Sequence, residues 1–222
     1  MSNHDHLPTS SSALPLSPLS VGVSGQVDGE RADAARNRQL LLAAAQHLID
    51  TKGPAAVTMD AVARDAGVGK GTVFRRFGSR TGLMMALLDH SESELQQAYL
   101  SGPEPLGPGA PPLDRLLAYG RARLKQTVHH LDLLLEAGAA GGDYLRHPVS
   151  LSSTQHVQIL LRQLGFGTQV EVLTVAVQAP LNAAAVMHLI EVVGMDTESI
   201  ADQWEQMVRS LVDGRRADTG TR

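Results

Sequence analysis

The stretch from Asp65 to Arg80 constrains this chain more tightly than any other: Asp-Ala-Gly-Val-Gly-Lys-Gly-Thr-Val-Phe-Arg-Arg-Phe-Gly-Ser-Arg. Gly67 follows a run of good helix formers, where a helix ends in left-handed backbone that glycine alone adopts without strain. Val68 is the apolar residue of the turn Gly67-Val68-Gly69 and can plug the angle between two helices. Lys70 and Thr72 open a second short helix, on which Val73 and Phe77 share one face while Arg75 and Arg76 point elsewhere. Helix, three-residue turn, helix is the layout of a helix-turn-helix, whose second helix lies in the major groove of DNA. Arginine suits that position as a donor to guanine edges and as a phosphate clamp.

The charge distribution agrees. The formal net charge of −4 hides a split. Residues 31–90 hold nine basic and five acidic side chains, whereas residues 91–222 hold ten and fifteen. The positive charge therefore lies with the turn motif, where phosphate contact needs it. The chain has no cysteine, so disulfides, thiol catalysis and thiolate metal sites are excluded. Its apolar content of 43% is enough for a real core.

Taken in order, residues 1–34 read as a disordered tail, with seven Ser and three Pro in the first thirty positions and no helical period. A first helix is predicted over about Ala34–Lys52, with Leu41, Ala44, Ala45 and Leu48 on one stripe and Gly53-Pro54 as its stop. Thr58 should cap the second helix, and Ser79 a fourth that runs from Arg80 to about Leu100. The Pro- and Gly-rich residues 101–112 form a linker, after which Pro112 suits the first turn of a fifth helix. A short helix over about Leu131–Ala139, ended by Gly141-Gly142, and another over about Leu151–Leu164 follow.

Thr168–Val193 is predicted as one helix bent at Pro180, apolar nearly all round and therefore buried on more than one side. With a last helix over about Asp196–Val212 it forms half of an intermolecular four-helix bundle, using Val186, Ile190, Ile200, Trp204, Met207, Val208 and Leu211. The fold class is all-α. A helix-turn-helix domain over residues 35–80 precedes a helical regulatory and dimerisation domain over 81–213, and residues 214–222 are expected to fray.

The segment from Arg36 to about Leu95 resembles the tetracycline-repressor (TetR) family of bacterial transcription factors. The resemblance rests on Val57-Thr58-Met59, Ala66-Gly67-Val68, Lys70-Gly71-Thr72 with Val73-Phe74, and Phe77 before Gly-Ser-Arg. The chain departs from the common pattern at Gly69 (serine), Phe74 (tyrosine), Arg75-Arg76 (a histidine pair) and Gly78 (proline). The resemblance implies a homodimer on a pseudo-palindromic duplex, with Lys70, Thr72, Arg75 and Arg76 in the major groove. Thr58, Gly71, Phe74, Ser79 and Arg80 would hold phosphates, and Arg36 and Arg38 would serve an arm beside the first helix. It further implies a ligand cavity in the C-terminal domain, for which the polar candidates are Arg123, Thr127, Gln155, Gln178, Asn182 and His188. With 3% aromatic residues, an apolar or amphipathic effector fits better than a nucleotide.

Enzymatic readings fare poorly. Gly67–Thr72 looks like a phosphate loop, but Gly71 follows the lysine and no strand precedes it. No His-Glu-x-x-His occurs, and His188 with Glu191 is half a metal site at most. No cofactor is expected. No segment reads as a secretory signal or a bilayer span, so the expected location is cytoplasmic. A regulator without an effector, or one whose C-terminal domain docks a partner protein, is the alternative, with a metal-dependent enzyme a distant third.

Overall fold

The computed structural model describes residues 24–139 and 148–220, and the side chains of 32–135 and 151–215. It divides into two units, Met1–Arg38 and Gln39–Arg222. The described elements are all helical: α1 Ser24–Lys52, a 3-10 turn Pro54–Ala56, α2 Met59–Asp65, α3 Lys70–Phe77, α4 Arg80–Ser101, α5 Pro112–His129 and α6 Leu131–Ala139. They continue with α7 Pro148–Gln163, α8 Val170–Gln178, α9 Ala183–Met187, a π turn His188–Val192 and α10 Thr197–Gly220.

Local chemistry sets these boundaries. The Thr58 hydroxyl accepts the Ala61 N–H at 3.1 Å, and the Ser79 hydroxyl accepts that of Gly82 at 3.1 Å. Each bond satisfies an amide that a helix start leaves unpaired. Gly67 sits at φ +68°, and the bonds Gly67 N–H to Arg64 O (3.3 Å) and Val68 N–H to Ala63 O (2.9 Å) close α2 as a Schellman motif.

Two hydrophobic clusters follow from the stripes. The head cluster gathers Leu41, Ala44, Ala45 and Leu48 of α1, Val62 of α2, Val73 of α3 and Leu83, Leu87 and Leu88 of α4. It also takes in Leu133 from α6, so the body reaches into the head's core. The second cluster surrounds α5, whose Leu116, Leu117 and Leu124 meet Leu95 and Tyr99 of α4, Leu160 of α7 and Trp204 of α10. Along α4 the change from one cluster to the other falls between Leu88 and Leu95. At roughly 1.5–3 kcal/mol per fully buried large apolar side chain, each cluster is a substantial core.

Three expectations are corrected. α1 begins at Ser24, ten residues before the predicted start, because Glu30, Arg31, Ala34 and Ala35 favour helix and Gly25 and Gly29 each cost only about 1 kcal/mol. Residues 1–23 of the expected tail, and the Gly141-Gly142 stop, lie outside the described residues. α10 continues to Gly220, since Arg215, Arg216 and Ala217 extend a helix that Gly214 alone does not end. Finally, Thr168–Val193 is broken rather than bent. Pro180 enters a 3-10 turn, Asn182 adopts extended backbone at φ −79° and ψ 159°, and its side chain accepts the Ala185 N–H at 2.8 Å, capping α9. The halves meet at 43°, and no single helix among the described residues is long and apolar enough to cross a membrane.

Candidate nucleic-acid interface

The outer face of α3 is built by what its inner face does. Val73 is fully buried and Phe77 half-buried against the head core, which turns Arg75 and Arg76 into solvent. Among the described residues neither arginine has a hydrogen-bond or ion-pair partner, so both cations are available to an incoming anion. Gly71 faces open space: a Cβ built there meets no atom within 4 Å. The fold itself therefore does not require glycine at this position.

The other expected DNA contacts are placed as follows. Lys70 pairs with Asp60 at 2.8 Å and lies 5.6 Å from the centroid of the exposed Phe74 ring. Thr72 is half-buried. The Thr58 and Ser79 hydroxyls serve as the helix caps described above. Arg80 donates through Nε to Val57 O (3.0 Å) and through Nη2 to Pro54 O (3.1 Å), clamping the turn between α1 and α2. In the first unit, Arg36 is exposed beside Asp33 at 3.4 Å and Arg38 is half-buried.

Residues 41–87 match the family model described as bacterial regulatory proteins, tetR family. The matched span is the head cluster with its turn and recognition helix. Over this span the chain is similar to the TetR family. The helix-turn-helix built by α2, the turn Gly67-Val68-Gly69 and α3 lies inside the matched segment.

Among solved structures it is similar to a TetR-family transcriptional regulator from Streptomyces coelicolor, at TM-score 0.60 and 19% identity over 84% of this chain and 86% of that one. It also resembles a transcriptional regulator of the TetR/AcrR family from Thermobifida fusca, at TM-score 0.53 and 18% identity over 78% and 96%. The fatty acid degradation regulator FadR from Bacillus halodurans aligns at TM-score 0.56 and 14% identity over 77% and 93%. These likenesses extend the TetR-like fold through the body. No curated protein matches in sequence.

The body treats its polar groups differently. Arg123 of α5 makes a two-pronged pair with Glu92 of α4, which is 4% exposed, and reaches Ser153 of α7 at 2.9 Å. Burial disfavours the guanidinium charge, yet Tyr119 and Glu92 hold it protonated. Beside this pair the Tyr99 ring stacks on His156 at 4.0 Å, and Tyr99 Oη donates to Ser152 at 3.0 Å. The His156 Nε2 and His130 Nδ1 atoms are buried without a hydrogen-bond partner. Burial drives both rings down to about 4, with Arg115 adding to the effect at His156 and His129 at His130. Both histidines are therefore neutral at pH 7.

Of the six expected ligand contacts, Arg123 and Gln178 both meet Tyr119, with Arg123 5.9 Å from the centroid of its ring. Arg123 is paired as above, and the Thr127 hydroxyl donates to Leu181 O at 3.0 Å. Asn182 caps α9, and Gln178 donates weakly to Tyr119 Oη at 3.4 Å. Gln155 and His188 are exposed. Sequence reasoning missed Glu92, His156 and Ser153. A signal for Glu92 was present, since it continues the buried α4 stripe Leu88, Leu95, Tyr99 at helical spacing.

The expected dimerisation residues divide into two groups. Val186, Ile200, Trp204 and Val208 are buried inside their own chain. Trp204 Nε1 donates to Val177 O at 2.9 Å, and its indole fills the space that a Cβ at Gly120 would occupy. Ile190, Met207 and Leu211 remain half-buried. An exposed apolar stripe lies on α8, at Val172, Val175, Ala176 and Ala179, with Val172 74% exposed.

Proposed function

We propose that this protein is a transcriptional repressor that binds a pseudo-palindromic operator as a homodimer, two α3 helices entering successive major grooves. The observation that carries the reading is the pair of unpartnered arginines, Arg75 and Arg76, on the exposed face of a helix-turn-helix whose inner face is locked into the head core. Thr72 and Lys70 would join them at the bases or flanking phosphates. Gly71, which the fold does not require, would let α3 approach the backbone closely. Thr58, Phe74, Ser79 and Arg80 would lie along phosphates, and Arg36 and Arg38 would supply the arm.

The exposed α8 stripe supports a partner copy as its cover, because exposed apolar rows at helical spacing favour association. Residues 35–80 and 81–213 would then act as reader and as dimerising body. A small apolar or amphipathic effector would shift the population toward a head spacing that does not fit the operator. The name of the Bacillus halodurans neighbour makes a fatty acid a reasonable first probe. A regulator without an effector draws support from the in-chain partners that Arg123, Thr127 and Asn182 already have.

Selection of binding sites from a random DNA pool tests the proposal. The expected product is a two-fold-related pair of half-sites, and Arg75→Ala or Arg76→Ala should relax one base pair per half-site. A pool that enriches nothing would overturn it.

A further inference from the structure

Lys70 stands in an unusual electrostatic position. It is the first residue of α3, where the positive end of the helix dipole disfavours a cation. Across the turn, Asp60 sits in the first turn of α2, where the same effect favours a carboxylate. The two side chains meet at 2.8 Å, and both remain open to solvent at 57% and 54% exposure. The lysine has a flexible four-carbon stem, and while paired with Asp60 its ammonium also lies 5.6 Å from the centroid of the Phe74 ring.

From this geometry we infer that Asp60 is a brake on DNA binding: it competes with phosphate for Lys70, so part of that lysine's contribution is lost in breaking the intramolecular pair. The inference rests on the reading of α3 as the DNA-contacting helix. Arg75 and Arg76 carry no such restraint, so the brake acts on one of the three cations that α3 presents. Its function is to hold affinity down to a level from which the protein can be released. An exposed pair suits this role, because it is weak enough to be exchanged and strong enough to subtract from each binding event.

The test is a double-mutant cycle on the full chain, read by titration with a random-sequence duplex at several salt concentrations. Lysine-to-phosphate contact is sequence-independent, so no operator is needed. Asp60→Asn should tighten binding about two- to fivefold, the range expected for an exposed ion pair. It should also steepen the log–log salt slope by up to about 0.9, the share of one phosphate contact. Lys70→Ala should cost about twofold in the wild-type background and several-fold more in Asp60→Asn, whereas Asp60→Glu should behave like wild type.

A lost helix-end interaction alone would lower thermal stability without changing the salt slope or the cost of Lys70→Ala. If Asp60→Asn tightens binding equally with and without Lys70, Asp60 acts by plain repulsion and the brake is wrong. An unchanged affinity and slope would overturn the brake while leaving the DNA-binding reading intact. Failure of every variant to bind the duplex at low salt would overturn both.

Discussion

On α3, Arg75 and Arg76 stand in solvent with no partner among the described residues, whereas on α5 Arg123 is drawn inside to meet Glu92 and Ser153. The same residue type thus serves two purposes within one chain. In the head the apolar face of α3 does the folding, so the cations can be spent on an external anion. In the body the guanidinium ties α4, α5 and α7 together, and its charge is already neutralised. Removing a head arginine should therefore affect binding, and removing the body arginine should affect folding.

The largest effect is expected at the buried pair. Arg123→Met strands the Glu92 carboxylate and should cost about 3–5 kcal/mol in urea unfolding. Adding Glu92→Leu should restore most of that loss, because a buried ion pair contributes little beyond well-packed apolar residues. A single substitution costing under about 1 kcal/mol would remove the contrast between head and body.

Acid should expose the body next. His130 and His156 have folded-state values near 4, below the ordinary 6.5, so in that window the unfolded chain binds more protons. Stability should be intact above about pH 6.5 and fall as pH drops toward 4, by up to about 3 kcal/mol per ring. His156→Phe should flatten the pH dependence of the unfolding midpoint.

Arg75→Ala and Arg76→Ala sharpen the comparison from the other side. Each should weaken operator binding by about 1–3 kcal/mol if it reads a guanine. Stability should change by no more than about 0.5 kcal/mol, as at other exposed sites. The smallest effect is at Thr58, whose hydroxyl caps α2: Thr58→Ala should lower stability by about 0.5–2 kcal/mol. A greater loss of DNA affinity than of stability there would assign the hydroxyl to phosphate as well.

The head was legible in the sequence because local chemistry decides it: Gly67 must end α2, Thr58 and Ser79 can cap, and Val73 and Phe77 fix which way the arginines face. In the body, periodicity identified faces but not what covers them. Periodicity places Trp204 on an apolar stripe, and the indole packs on α5, where Gly120 leaves room for it. The break after Pro180 depended on Asn182, whose capping bond becomes possible only once the backbone extends. The Asp60–Lys70 pair joins residues ten apart across a turn, a spacing that no helical or strand period marks.

Sedimentation of the full chain with its selected operator at low salt tests the central claim most directly, that paired heads held by the body engage one duplex. The account predicts a complex of two chains per duplex that dissociates steeply as salt rises. A complex with a single chain, or none at any salt concentration, would contradict it.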